Sequence, residues 1–540
     1  MNGMSAHLIV APIVLPLFAG ALLLLLGDRR HALKAAINLV ATATTLGLAI
    51  ALLGRSADVP VTVYLLGNWQ APFGIVLVAD RLSALMLVLT GILALATLTF
   101  SLARWDRAGA HFHSLFQFLL MGLNGAFLTG DVFNLFVFFE VLLAASYGLV
   151  LHASNRARVG VGLHYIVVNL LASLLFLVGV SLIYGVTGTL NMADLAIRVP
   201  AVADGDRMLL EAGAAILGVA FLVKAGMWPL SFWLPNTYSV AAAPVAAFFV
   251  IMSKVGIYIV LRLSLLAFGE GAGVSAQFGD PWLMVGGMMT IVFGSVGVLA
   301  SQDLARLASF NVLISSGTML AAIGLGDAAV TEGALFYLVN STLAIAAFFL
   351  LIELIERGRA PGADVLAVTM EAYGETDGED LEEETGVAIP VTMAVLGIGF
   401  VCCALLLSGQ PPLSGFVAKF LLLAALFQIP ATGADDFAVG ASWSLIALLL
   451  ISGLAGVIAM ARAGIRTFWL PLESTVPRVR VIEAAPIVVL LLLCIALTVQ
   501  AGAVSRFMRD TAQSLHGPQD YVHSVMTAPR ALPLGSGGGT

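Results

Sequence analysis

The sequence predicts an all-α polytopic membrane protein of about fourteen transmembrane helices, and three observations carry that prediction. Of its 540 residues, 60% are hydrophobic and only 11% are charged, with a mean hydropathy of +1.02. The apolar runs are continuous over about 20 residues, the length of one helical crossing, and lack the alternation of a barrel strand. They fill the chain and leave no polar region long enough for a second fold.

Crossings are expected over residues 6–26, 33–54, 80–103, 112–129, 131–152, 161–185, 208–230, 242–268, 282–301, 304–326, 330–355, a broken one over 388–429, 441–465 and 484–506. The first lacks a basic segment before it and is long enough to span, so it reads as a retained helix and not a cleaved leader. Basic residues orient the set. The loops after odd-numbered crossings carry Arg29, Arg30, Lys34, Arg104, Arg107, Arg156, Arg158, Arg306, Arg357, Arg359, Arg462, Arg466, Arg478 and Arg480. The other side and the termini carry only Arg55, Arg81, Arg198, Arg207, Arg506, Arg509 and Arg530, which places both termini outside.

Four of the 25 Lys and Arg residues remain, and they fall inside crossings. Arg262, toward the outer end of crossing 8, is read as snorkelling to the interface. Lys224, Lys254 and Lys419 lie too centrally for that. The stretch GDVFNLFVFFEVLLAASYGLVL, Gly130 to Leu151, adds one acid, Glu140, near the middle of crossing 5. A charge there costs roughly 2.5–3.5 kcal/mol on insertion scales, so it marks an ion or proton path with a buried partner. Burial disfavours the charged form of both a lysine and a glutamate, while pairing restores it, so making and breaking a Glu140–Lys224 pair would switch proton affinity.

Two lysines sit where a helix is expected to break. Met227-Trp228-Pro229 and Leu234-Pro235 follow Lys224; Ser408-Gly409-Gln410-Pro411-Pro412-Leu413-Ser414-Gly415 precedes Lys419. Proline removes a donor and clashes with the preceding turn, and open backbone at membrane depth survives only in protein or beside a wet cavity. Charged, interrupted helices in both halves of a chain are the signature of inverted repeats. We therefore expect residues 1–110 to hold crossings 1–3, 111–268 and 282–465 to form two inverted five-helix repeats, and 484–540 to hold the last helix and a flexible tail.

The rest of the chain excludes other chemistries. Residues 371–384 carry eight acids and no base, a solvated block on the inner side of the predicted topology. Cys402, Cys403 and Cys494 lie within apolar runs as small hydrophobes, without metal or disulfide spacing. No GxxxxGK[ST], CxxC or HExxH motif occurs, so neither direct use of ATP nor a metal site is expected. Histidines at span ends, in loops and in the tail read as solvated. No cofactor, enzymatic activity or nucleic-acid partner is expected.

Three segments, TGDVFNLFVFFEVLLAASYGL (129–149), VKAGMWPLSFWLPNTYSVAAAPVAAFFVIMSKVGIYIVLR (223–262) and PPLSGFVAKFLLL (411–423), resemble the D-type subunit of the Mrp-type multisubunit Na+/H+ antiporters. That component is similar to the proton-pumping, antiporter-like subunits of respiratory complex I and membrane-bound hydrogenases. The resemblance implies a bacterial cell membrane, other membrane subunits as partners, and exchange of protons for Na+ or another monovalent cation. It makes Glu140 the glutamate of crossing 5, Lys224 its partner, Lys254 the connecting lysine and Lys419 the lysine of the broken helix. Where relatives carry histidines and a lysine in crossing 11, this chain has Asn340, Ser341 and Ile345, and a family lysine is replaced by Ala305. The link from Lys254 to Lys419 is therefore expected to use water with Asn340, Ser341, Thr342 and Ser316. The alternatives are a redox-driven proton-pump subunit and a non-transporting scaffold.

Overall fold

The computed structural model describes residues 7–27, 30–357, 391–432, 436–468 and 478–530; the acidic segment 371–384 and the tail from Gly535 lie outside them. Among the described residues, twelve helices are long and apolar enough to cross a membrane, and three shorter apolar helices accompany them. The protein is a multi-pass helical membrane protein. In chain order the helices are α1 (Ala11–Leu25), α2 (His31–Asp58), α3 (Arg81–Ser101), α4 (Phe112–Leu128), α5 (Val132–Val150) and α6 (Arg156–Thr187). There follow α7 (Met192–Arg198), α8 (Asp204–Ala225), α9 (Trp233–Val240), α10 (Ala243–Ala267), α11 (Asp280–Ala300), α12 (Leu304–Ile323) and α13 (Ala328–Glu356). The last are α14 (Val391–Ser408), α15 (Ser414–Gln428), α16 (Asp436–Phe468), α17 (Val481–Val499), α18 (Ala501–His516) and α19 (Gln519–Met526).

Both expected breaks are present. Gly226, in the left-handed region at φ 75°, ends α8 directly after Lys224 and Ala225, and α9 resumes at Trp233. Gly409, at φ 74°, lies between α14 and α15 just ahead of Pro411 and Pro412. A side chain at either glycine would be strained whatever the space around it.

Burial sorts the helices by composition. α10 and α13 are buried nearly all round, the pattern of a central helix, whereas α6, α14 and α17 keep one side open. Gly256 brings α10 onto α8, since a Cβ there would stand 2.9 Å from the Phe221 carbonyl oxygen. Gly333 does the same for α13 and α15, with Leu422 backbone 2.8 Å from its would-be Cβ. Small residues at such crossings let membrane helices pack backbone to backbone.

Three features go beyond the sequence reading. A two-stranded antiparallel hairpin, β1 (Val61–Leu65) and β2 (Val76–Asp80), sits between α2 and α3, so the chain is mostly rather than wholly helical. Its last residue, Asp80, caps α3 in a reciprocal pair with Ser83. Arg262 does not snorkel. It is buried in a two-pronged ion pair with Asp80, hydrogen bonded to the Tyr258 hydroxyl, and stacked over Tyr521 of α19. That carboxylate lies 182 positions away, out of reach of any local pattern. Residues beyond 500 also fold: α18 is amphipathic, and its Ser505 and Arg509 bind the Glu332 carboxylate of α13 at 2.6 and 3.0 Å.

Candidate proton axis

The first pair of groups comes from α5 and α8. Glu140 is the ninth of the nineteen residues of α5, and Lys224 occupies the last turn of α8. Glu140 supplies the charge that acts on Lys224, yet no hydrogen bond joins them: both the Glu140 Oε1 and the Lys224 Nζ are buried without a partner among the described residues. The ammonium instead lies 5.1 Å from the centre of the Phe139 ring. Phe139 belongs to an aromatic cluster with Phe136, Phe176 and Phe221, in which Phe176 stands 5.2 Å from Phe221 and 5.3 Å from Phe136. A cation over a ring face is attracted by its quadrupole, by about 2 kcal/mol or more when desolvated.

Lys254, the twelfth of 25 residues in α10, has no exposed surface. Its ammonium donates to the Ser315 hydroxyl at 2.6 Å, and Ser315 hydrogen bonds Ser341 of α13 at 2.8 Å. The Tyr337 hydroxyl lies against Ser315 and Thr318. Beside Ser341, Asn340 accepts from the Ser414 hydroxyl at 2.7 Å, which reaches the first residue of α15. Lys419, in the next turn of α15, donates to the Ser408 carbonyl at 2.8 Å, at the end of α14. Lys419 thus contacts the C-terminal end of a helix, where unpaired carbonyls and the negative end of the dipole stabilise a cation.

Of the residues expected to link Lys254 to Lys419, Ser341 hydrogen bonds Ser315 and Asn340 accepts from Ser414, but Thr342 turns back to the Leu338 carbonyl at 2.6 Å, and the Ser316 hydroxyl has no partner among the described residues. Sequence reasoning missed Ser315, Tyr337 and Ser414. Serine and tyrosine within apolar runs look like ordinary helix residues, and no local signal separates one that bonds its own backbone from one that faces a lysine. Two histidines also differ from expectation. His113 and His152 are buried, with His113 bonded to Asn38 of α2 at 2.9 Å and His152 to the Trp105 carbonyl at 2.6 Å. The cysteines are free, and no group of three or more His, Cys, Asp or Glu capable of holding a metal occurs among the described residues.

Glu140, Lys224, Lys254 and Lys419 thus lie within the packed helices, with hydroxyl and amide side chains beside the last two. The family described as NADH:quinone oxidoreductase/Mrp antiporter, TM, matches residues 129–433, which include all four ionisable groups. The chain belongs to this family. It is 60% identical, over 97% of its length and 98% of that protein's, to a Rhizobium meliloti (strain 1021) protein named as a probable K(+)/H(+) antiporter subunit of the D type. It is 34% identical, over 96% of its length and 99% of that protein's, to the corresponding Na(+)/H(+) antiporter subunit of Alkalihalophilus pseudofirmus. Among solved structures, a chain of the Mrp complex from Dietzia sp. superposes with a TM-score of 0.80 at 24% identity, covering 97% of this chain and all of that one. A chain of respiratory complex I from Thermus thermophilus gives a TM-score of 0.73 at 21% identity, covering 94% of this chain and 99% of that one. Antiporter-family membership and the fold shared with complex I membrane subunits favour a transporter subunit over a scaffold.

Proposed function

We propose that this chain is the D-type subunit of an Mrp-type monovalent cation/proton antiporter and that protons cross it along Glu140, Lys224, Lys254 and Lys419. The observation that carries the reading is Lys254. A lysine with no exposed surface, bonded to a neutral hydroxyl at mid-helix, is costly to keep for structure alone, and its hydroxyl partner bonds Ser341 of α13 in turn. Glu140 and Lys224, close enough to feel each other yet unbonded, serve as the gate that loads this line. The chain works beside other membrane subunits in a bacterial inner membrane, with both termini outside. Residues 111–268 and 282–465 act as inverted repeats about Lys254. Our reading makes K+ the first cation to test, since the 60% identical relative carries K+ in its name, and Na+ the second.

Everted membrane vesicles from cells lacking other antiporters, with the partner subunits coexpressed, test this directly. Collapse of a pH gradient on adding KCl or NaCl should be lost in Glu140→Ala at equal assembly, because Lys224 is then left without the charge that engages and releases it. Wild-type exchange in that variant rejects the proposed axis. The redox-driven alternative predicts copurifying iron–sulfur or quinone subunits and no cation-dependent collapse.

A further inference from the structure

The Glu140–Lys224 gate is asymmetric. On the Val132 side of Glu140 stand Phe136 and Phe139, packed on Phe176 and Phe221; beyond them lies an apolar cavity of about 430 Å3, bordered by Val132, Ile183, Leu217 and Phe221. Nothing in that cluster relays a proton. On the Val150 side the lining is polar. Tyr147 lies two turns from Glu140 on the same face of α5, and its buried hydroxyl, which feels the Glu140 charge, has no hydrogen-bond partner among the described residues.

α6 runs antiparallel beside α5, and its contacts set the register. Phe176 packs on Phe139 at 6.1 Å between ring centres, while Tyr165 packs on Tyr147 at 5.6 Å and bonds the Ser146 hydroxyl at 2.8 Å. Ser173 falls between those two levels and on the same face of α6, with Tyr165 eight residues before it and Phe176 three after. Its buried hydroxyl also lacks a partner among the described residues. Four buried polar atoms in that condition, on Glu140, Lys224, Ser173 and Tyr147, thus belong to three helices, α5, α6 and α8, that pack on one another through Phe139, Phe176 and Phe221. Buried polar groups are satisfied by protein or by ordered water, and a polar lane of this kind suits a water file.

We propose that Tyr147 and Ser173 form the proton-entry lane of Glu140, opening toward the α5–α6 loop and sealed on the opposite side by the Phe136, Phe139, Phe176 and Phe221 cluster. The lane carries protons over water between the two hydroxyls; no covalent bond in the protein changes. This inference rests on the proposed axis, and the experiment separates the two. Measured in the assembled complex, Tyr147→Phe keeps the ring, removes the hydroxyl, and should cut the maximal exchange rate several-fold while leaving the cation concentration for half-maximal rate unchanged. Ser173→Leu fills the lane and should cut the rate at least about tenfold. Phe176→Ala opens the seal and should produce a proton leak without added cation. Inactive Glu140→Ala combined with wild-type rates in both lane variants and no leak in Phe176→Ala overturns the lane alone; active Glu140→Ala overturns the axis itself. Should Ser173→Leu fail to assemble, Tyr147→Phe decides.

Discussion

The two ends of the axis hold their lysines differently. Lys224 faces a carboxylate it does not touch and rests on an aromatic ring, whereas Lys254 and Lys419 are hydrogen bonded to neutral oxygens of Ser315 and Ser408. A carboxylate can be engaged or released as a charge pair, which suits the first end of the proposed axis to a switch. A hydroxyl or a carbonyl offers a lysine one fixed acceptor and no counter-charge, which suits the second end of the proposed axis to a relay. On the proposed axis the same residue type would do two jobs, selected by its partner.

The largest effect should come from removing the relay amine. Lys254→Met keeps the apolar stem and takes away the proton carrier, so exchange should fall to background, a loss of about 100-fold or more. The same variant should melt no lower than wild type, because no counter-charge is left behind, while Glu140→Ala should melt lower for leaving Lys224 unpaired. Equal melting temperatures for the two variants would remove the distinction between switch and relay.

Lys419 gives the next test. Lys419→Met should abolish exchange, and Lys419→Glu should work only at acidic pH, because an ionised carboxylate would face the Ser408 carbonyl with nothing to donate. Activity of Lys419→Glu that is highest at alkaline pH would show that the α14 carbonyl is not its partner.

Ser315→Ala removes the hydroxyl between Lys254 and Ser341 without opening a large cavity. A several-fold loss of rate is expected, with Ser315→Thr restoring part of it, and full rate in the alanine variant would route the proton elsewhere.

The smallest effect separates local crowding from general tolerance. A Cβ at Gly453 of α16 would stand 3.2 Å from the Lys419 ammonium and 3.2 Å from the Ser408 carbonyl oxygen, so Gly453→Ala should slow exchange about twofold. Gly218→Ala on α8, with open space around its added methyl, should change nothing. Equal rates for both would mean the Lys419 contact does not limit transport.

Sequence pattern made the membrane class, most helix positions, both interruptions and the four ionisable groups legible. The physical reason is local. Bilayer thickness sets the length of an apolar run, proline and glycine break a helix within a few residues, and a charge in such a run is costly wherever the rest of the chain goes. What only the tertiary structure decided depends on contacts between distant positions. Arg262 reads as a snorkelling residue until Asp80 is seen across 182 positions, and His113 reads as surface until α2 covers it with Asn38. Ser315 and Thr342 show the limit most plainly, since both are hydroxyls in apolar helices, and packing alone turns one toward Lys254 and the other back onto its own helix. A helix pattern fixes the face on which a side chain stands; which helix comes to meet that face is set by close approaches such as Gly256 on Phe221 and Gly333 on Leu422, and these exist only once the chain has packed.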